Sequence, residues 1–437
     1  MPPDLDALGP IVSELSDVVD AFLAGGFELH VVGGLVRDLV GSRPIDLVDI
    51  DLATDATPEQ VRTLLAGHVD ALWRQGERFG TIGVLVRDRK IEVTTYRAEV
   101  YQPESRKPVV RFSNDLRTDL SRRDFTINAM AVTLPELHLV DPFDGMRDLA
   151  AGVLRTPLDP AISFDDDPLR MLRGARFLAT LNLVPVDGLV LAMAQRADRL
   201  GIVSAERIGD ELLKLLAVET PGRGLRLLDQ AGLLDVVIPE YSGISDEARS
   251  VDFTMVDLVE PKAALWRLAA IYAFLDPAAV RRAGDRLRIP RDARRRLRAL
   301  TDAIVSSTEL TGLDLVASRH LAAGIGDERS HLAGVLRARA TATQSVAAAP
   351  DDEAVRLLAA ADAVDAGWLE LADEDLSAIG ADLTGAQVMD ELGLEPGPDV
   401  GRALAWLEEV RYRDGAVPGA ELRARLRAWW GDREAER

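Results

Sequence analysis

The stretch VVGGLVRDLVGSRPIDLVDIDLAT, residues 31–54, brings an apolar pair, a double glycine, an Arg-Asp and two spaced aspartates into one strand–helix–strand unit. Along a strand, residues i and i+2 share a face, so Asp49 and Asp51 are expected to present two carboxylates side by side. Paired carboxylates suit Mg²⁺, a hard cation that takes oxygen ligands together with substrate phosphates. Upstream, Gly33 and Gly34 permit close backbone approach and offer amide donors at a helix start, a seat for a triphosphate. Each feature also has a plainer reading. An isolated D-x-D is commonly a solvated loop pair, and a glycine pair after a strand is commonly a turn.

Around this unit, TIGVLVR (81–87) and KIEVTTYR (90–97) read as further strands, and residues 11–24, 34–40 and 58–67 have helical spacing. On the 90–97 strand, Glu92, Thr94 and Tyr96 share one face, and Ile91, Val93 and Thr95 the other. Glu92 is therefore the candidate third carboxylate. Two metals about 3.5–4 Å apart would clamp the attacking hydroxyl and the leaving pyrophosphate of an in-line displacement. From about residue 165 the strand signals fade and apolar residues repeat at 3–4 spacing, without a fixed repeat period. An α/β or α+β head on an all-helical remainder is expected, with an exposed connection at 341–353.

Two further clusters carry chemistry. In DLSRRDFTINAMAV (119–132), Arg122 and Arg123 could grip phosphate, and Asp124 or Asn128 could hydrogen-bond a ribose hydroxyl. The plainer reading is a helical turn with surface charges. In FDDDPLRMLRGARFL (164–178), Asp167 before Pro168 is a helix start, and Asp167, Arg170 and Arg173 project from roughly one face of the first two turns. A cap with an Asp–Arg pair would explain the same pattern. As a reader of bases, an Asp acceptor beside an Arg donor matches an exocyclic amine next to a ring nitrogen. Cytosine and adenine present that order, uracil and guanine the reverse, and unpaired buried polar groups would enforce the choice.

Composition bounds these readings. The chain has 437 residues, 47% apolar and 28% charged, and contains no cysteine, which excludes disulfides, thiolate metal sites and cysteine nucleophiles. The N-terminal MPPDLDALGP lacks a basic flank and apolar core, and no apolar run reaches ~18 residues, so neither a secretory leader nor a membrane span is expected. A cytoplasmic location is the expectation. The net charge of −21 is spread unevenly: −9 over residues 1–150, −1 over 151–225 and −11 over 226–437. Within the last part, RRAGDRLRIPRDARRRLRAL (281–300) carries nine arginines and two aspartates. A local patch decides whether phosphate is attracted, which makes Arg291, Arg294 and Arg295 candidate RNA contacts; a solvated helix face is the alternative.

The segments VVGGLVRD, DIDLATDATPEQV, GERFGTIGV, IEVTTYRAEVY, RRDFTINAMAV, DPFDGMRDLAAGVLRT, DDPLRMLRGARF and ERIGDELLKLL follow one another over residues 31–216. Together they resemble the class II tRNA nucleotidyltransferases (CCA-adding enzymes) and bacterial poly(A) polymerases of the polymerase-β nucleotidyltransferase superfamily. The resemblance implies an α+β fold, a polymerase-β-like head with a mixed or antiparallel sheet followed by an all-helical neck, body and tail. Residues 1–150 would be the catalytic head, 151–225 the base-reading neck, and 226–437 the tRNA-binding body and tail. It further implies Gly33, Gly34 and Arg37 at the triphosphate and head architecture, and Asp49 and Asp51 as ligands of two Mg²⁺ ions. Arg122, Asp124 and Asn128 fall on ribose and phosphate contacts, and Asp167 and Arg170 on the base-reading pair. The implied reaction adds CMP, CMP and AMP from CTP and ATP to the tRNA 3′ end without a template, with contacts to acceptor stem and elbow.

RAEVYQPESRKPVVRF (97–112) resembles the flexible loop of relatives that add the final A, and LTGAQVMDELGLEPGPDVGRALAWLEEV (383–410) the tail helices that hold the tRNA elbow. Departures are a few extra residues between Gly41 and Asp49, including Asp46, and Asp166-Asp167 where Glu-Asp is usual. His30, His68, His138, His320 and His331 form no His-Asp cluster, so no appended phosphohydrolase activity is expected. Poly(A) addition, A-only addition, or a non-catalytic RNA-binding protein on the same scaffold are the alternatives.

Overall fold

A computed structural model of the chain describes residues 4–45, 49–74, 76–77, 80–100, 109–310, 312, 314–346, 351–376 and 379–435. By internal packing the chain divides into two compact units, Met1–Glu211 with Arg223–Val237, and Leu212–Gly222 with Ile238–Arg437.

The first unit is built on a seven-stranded mixed sheet. Its strands are β1 (His30–Val32), β2 (Asp49–Thr54), β3 (Ala71–Trp73), β4 (Thr81–Val86) and β5 (Arg89–Thr95). A hairpin of β6 (Arg97–Val100) and β7 (Val109–Phe112) stands apart, and β8 (Ala131–Thr133) and β9 (Leu139–Val140) rejoin the sheet. The order is β3-β4-β5-β2-β1-β8-β9. Only β2 and β5 run parallel, and their register sets Asp51 opposite Glu92.

Alternation sorts the two faces. Val31, Ile50, Leu52, Ile91 and Val93 pack in one core with Val18, Phe22, Val61 and Leu65, from α2 (Ser16–Gly25) and α4 (Pro58–Leu65). The expected helix over 11–24 is two pieces, α1 (Gly9–Glu14) and α2. A capping box opens α4, with Thr57 and Gln60 bonding each other's backbone N–H and Pro58 in its first turn. On the opposite face, Val32, Ala53 and Tyr96 pack with Leu120, Ala129 and Ala131. Tyr96 thus follows the expected parity but is buried beneath α5 (Leu116–Ser121). Asp51 and Glu92, on the same face, are exposed.

Beyond the sheet come α6 (Gly145–Ala151), α7 (Pro160–Asp166) and α8 (Leu169–Leu181). α7 ends one residue before Asp167, so the expected helix start is a junction between two helices. Asp167 still caps α8 by accepting the Leu169 N–H at 3.1 Å.

In the second unit no strand occurs among the described residues. Helices 246–258, 264–275, 291–308, 315–325, 332–346 and 352–370 form its body, and 385–392, 398–414 and 419–435 enclose a separate small core. The exposed connection expected at 341–353 is shorter than that. Ala342 and Thr343 are buried within the 332–346 helix, and Asp351 already caps the next by accepting the Glu353 N–H at 2.6 Å. Residues 347–350 lie outside the described residues. No helix among the described residues is long and apolar enough to cross a membrane.

Candidate active site

The first unit contains a cavity of about 560 Å³ whose wall includes Gly33, Gly34, Arg37, Asp51, Glu92, Arg122, Arg123, Asp124, Asn128, Asp167, Arg170 and Arg173. Residues spread over 140 positions of sequence converge there from β1, β2, β5, α5 and α8. Seven arginines face five carboxylates in its wall. A strongly acidic chain therefore holds one locally cationic pocket, the field an anionic ligand needs.

Gly33 follows β1 and caps α3 (Gly34–Val40) with φ +78°, a conformation that favours glycine. A Cβ there would come 3.2 Å from Asp51 Oδ2 and 3.5 Å from Arg123 Nη1. The glycine thus lets a carboxylate and a guanidinium approach one backbone corner. At Gly34 a Cβ would meet only the Arg37 side chain, at 3.6 Å. Because α3 has seven residues, the anion attraction rests on the arginines more than on a helix end.

Asp51 and Glu92 are cross-strand neighbours lining the cavity, and Asp49 lies two positions before Asp51 on β2. The side chain of Asp49, and Asp46 altogether, lie outside the described residues. Among the described residues no cluster of three or more acidic or histidine side chains forms a ready metal cage. Two exposed carboxylates in register suit a hard cation that keeps part of its shell for phosphate oxygens.

A chain of polar contacts, buried at Asp124 and Asn128, runs through the cavity wall. Arg37 Nη1 donates to Asn128 Oδ1 at 3.0 Å, Asn128 Nδ2 donates to Asp124 Oδ1 at 2.9 Å, and Arg173 Nη2 lies 2.7 Å from Asp124 Oδ2. Arg173 and Arg176 then share Glu211, at 3.6 and 2.9 Å. Burial alone would push the Asp124 carboxyl up. The Arg173 charge, with donors from Asn128 and the Phe125 N–H, outweighs it and holds the group below the usual carboxylate range. Burial likewise opposes the Arg173 charge, and Asp124 and Glu211 more than restore it.

A lowered folded pKa means that the stability from Asp124 is complete above its ordinary value, near 4, and lost as pH falls through the folded value. Asp124→Asn should therefore flatten the acid limb of a melting-temperature profile below about pH 4, and an unchanged acid limb would contradict the assignment.

Arg170 is 7% exposed and donates to Ser163 Oγ at 2.9 Å, to the Ser163 carbonyl at 3.2 Å and to the Arg122 carbonyl. It joins the end of α7 to the arginine pair. Asp167 Oδ2 accepts from Arg207 Nη2 at 2.8 Å.

Sequence reasoning missed Arg176, Phe177 and Thr180, which extend the wall along α8. Their spacing of three, four and seven from Arg173 was the available signal. Phe177 is ringed by the guanidiniums of Arg37, Arg173 and Arg176, at 5.4, 5.3 and 4.3 Å from its centroid, which fixes the arginine wall by cation–π contact. Asp119 was missed as well.

The basic stretch at 281–300 belongs to the second unit and is less cationic than its sequence. Arg286 pairs with Glu240, Arg294 with Asp285, Arg296 with Glu328 and Arg298 with Asp302. Of the three candidates, Arg291 is exposed, Arg295 is 81% exposed beside Asp292, and Arg294 packs on Gly284. The segment 97–112, expected to be a flexible loop, begins and ends in the paired strands β6 and β7, and residues 101–108 lie outside the described residues.

Residues 29–155 match the poly A polymerase head domain, and residues 189–244 match the probable RNA and SrmB-binding site of polymerase A. A CCA-adding enzyme of Streptococcus suis is 37% identical over 239 residues, covering 54% of this chain and 57% of that protein. One from Bacillus licheniformis is 40% identical over 209 residues, 48% and 51% of the two chains. The chain is thus similar to poly A polymerases in its head segment and to CCA-adding enzymes over about half its length. The match spans a little over half the length of these curated relatives. The likeness of fold extends over nearly the whole chain. A Bacillus stearothermophilus CCA-adding enzyme solved in complex with CTP superposes with TM-score 0.70 at 24% identity, covering 97% of this chain and 99% of that one. The Thermotoga maritima enzyme complexed with tRNA has TM-score 0.60 at 19% identity, with 96% of each chain covered.

Proposed function

We propose that this protein adds CMP, CMP and AMP from CTP and ATP to the 3′ end of tRNA without a nucleic acid template. The observation that carries this reading is a single cavity uniting the Asp51–Glu92 carboxylate pair with the Arg122–Arg123 and Asp167–Arg170 pairs. Carboxylates suited to metal beside arginines suited to phosphate fit a nucleoside triphosphate.

In the proposed reaction the tRNA 3′ oxygen bonds to the α-phosphorus, the bond to the β-phosphate breaks, and pyrophosphate leaves. Asp49 and Asp51, with Glu92 beside them, hold divalent metal. Two Mg²⁺ ions, when bound, supply Lewis-acid stabilisation of the attacking and leaving oxygens. Gly33 and Gly34 admit the triphosphate to the backbone, and Arg122, Arg123 and Arg37 neutralise it. Asp124 and Asn128 orient the ribose edge of the pocket and Arg173 braces them. Asp167 accepts from the exocyclic amine of cytosine or adenine while Arg170 donates to the ring nitrogen.

Residues 1–150 are the proposed catalytic head, 151–225 the base-reading neck and 226–437 the body and tail for the tRNA acceptor stem and elbow. Arg291, Arg294 and Arg295 are the proposed RNA backbone contacts. A cytoplasmic location fits a tRNA-processing role.

Metal removal tests the reading. With tRNA lacking CCA, CTP and ATP, chelation should abolish incorporation and added Mg²⁺ should restore it. Incorporation that persists in excess chelator would contradict the metal assignment.

A further inference from the structure

Asp119 is 3% exposed, lies in the wall of the cavity and faces both phosphate-site arginines. One oxygen lies 3.8 Å from Arg122 Nη1 and the other 3.5 Å from Arg123 Nη2. The first also accepts the Arg97 N–H at 3.4 Å, which ties the carboxylate to the start of β6. α5 stops at Ser121 and Arg122 is its C-cap, so both arginines leave the helix on irregular backbone. Neighbouring guanidiniums repel, and long side chains lose rotamer freedom when they clamp a ligand. The buried Arg123 Nε has no hydrogen-bond partner among the described residues. With Nη2 drawn to Asp119, Nη1 reaches the Gly33–Asp51 corner.

We propose that Asp119 is the positioning residue of the phosphate site, forking between Arg122 and Arg123 and setting their spacing before the triphosphate arrives. The inference rests on the nucleotide reading above. It makes a prediction of unusual sign. As a bare charge in an anion pocket, Asp119 would repel the triphosphate, and neutralising it would tighten binding. As a positioning group, its neutralisation must weaken binding.

The test compares CTP and cytidine binding, by calorimetry and ligand-observed NMR with Mg²⁺ present, in the native chain and Asp119→Asn. The asparagine oxygen still accepts the Arg97 N–H. CTP should weaken about tenfold or more, as expected for lost hydrogen bonds between charged groups, with cytidine unchanged. Equal or tighter CTP binding, or parallel loss of both ligands, would overturn the proposal. Should Asp119→Asn fail to fold, Asp119→Glu keeps the charge and displaces the fork. Weaker CTP with unchanged cytidine then supports the proposal, and native CTP affinity overturns it. A native chain that binds no CTP would overturn the nucleotide reading along with it, an outcome distinct from failure of the variant alone.

Discussion

Asp51→Ala is expected to lower CMP incorporation by roughly 10³-fold or more, the several kcal/mol that metal-assisted charge stabilisation supplies. tRNA binding should be nearly unchanged, because the pocket's arginines and the second unit are untouched. The side chain is exposed on β2, so its removal opens no cavity, and stability should move within about 0.5 kcal/mol. Asp49→Ala should lower incorporation likewise. Single-turnover incorporation, gel-shift binding to tRNA and a thermal melt check the three parts. Retained turnover would remove the carboxylates from the mechanism.

Arg170→Ala is expected to relax base choice. Preference for CTP and ATP over UTP and GTP should fall by about 1–3 kcal/mol, the discrimination of one good side-chain–base pair. Because Arg170 also holds Ser163 and the Arg122 carbonyl, the variant should be less stable too, on the order of 1–3 kcal/mol for buried acceptors left unpaired. Arg170→Lys keeps the charge but not the planar fork, so it should relax base choice with a smaller loss of stability. Competition among four nucleoside triphosphates separates the effects; an unchanged preference in both variants would refute the role.

Much of the site was readable because its signals are local. Strand parity grouped Asp49 with Asp51 and Glu92 with Thr94 and Tyr96, and the β2–β5 register sets Asp51 opposite Glu92. The glycine pair, the Arg-Arg-Asp run and Asp167–Arg170 each sit at the end of an element whose period the sequence displays. What escaped was non-local. Nothing in residues 281–300 reveals that Glu240 and Glu328 neutralise Arg286 and Arg296 from 46 and 32 positions away. The insertion of β1 between β2 and β8 depends on how the chain returns at residue 131, which no periodicity encodes. Asp119 lay inside a quoted motif, but its role depends on burial and on the Arg97 N–H, 22 residues distant.

The central claim is the ordered, self-limiting addition of three nucleotides. The measurement that tests it is incorporation with each nucleoside triphosphate and Mg²⁺ on three tRNA transcripts, ending before CCA, at C and at CC. Addition of CMP, CMP and AMP that then stops is the predicted result. AMP placed only on the CC end, or a long A tail on any RNA, would contradict it and make the protein an A-adding enzyme or a poly(A) polymerase.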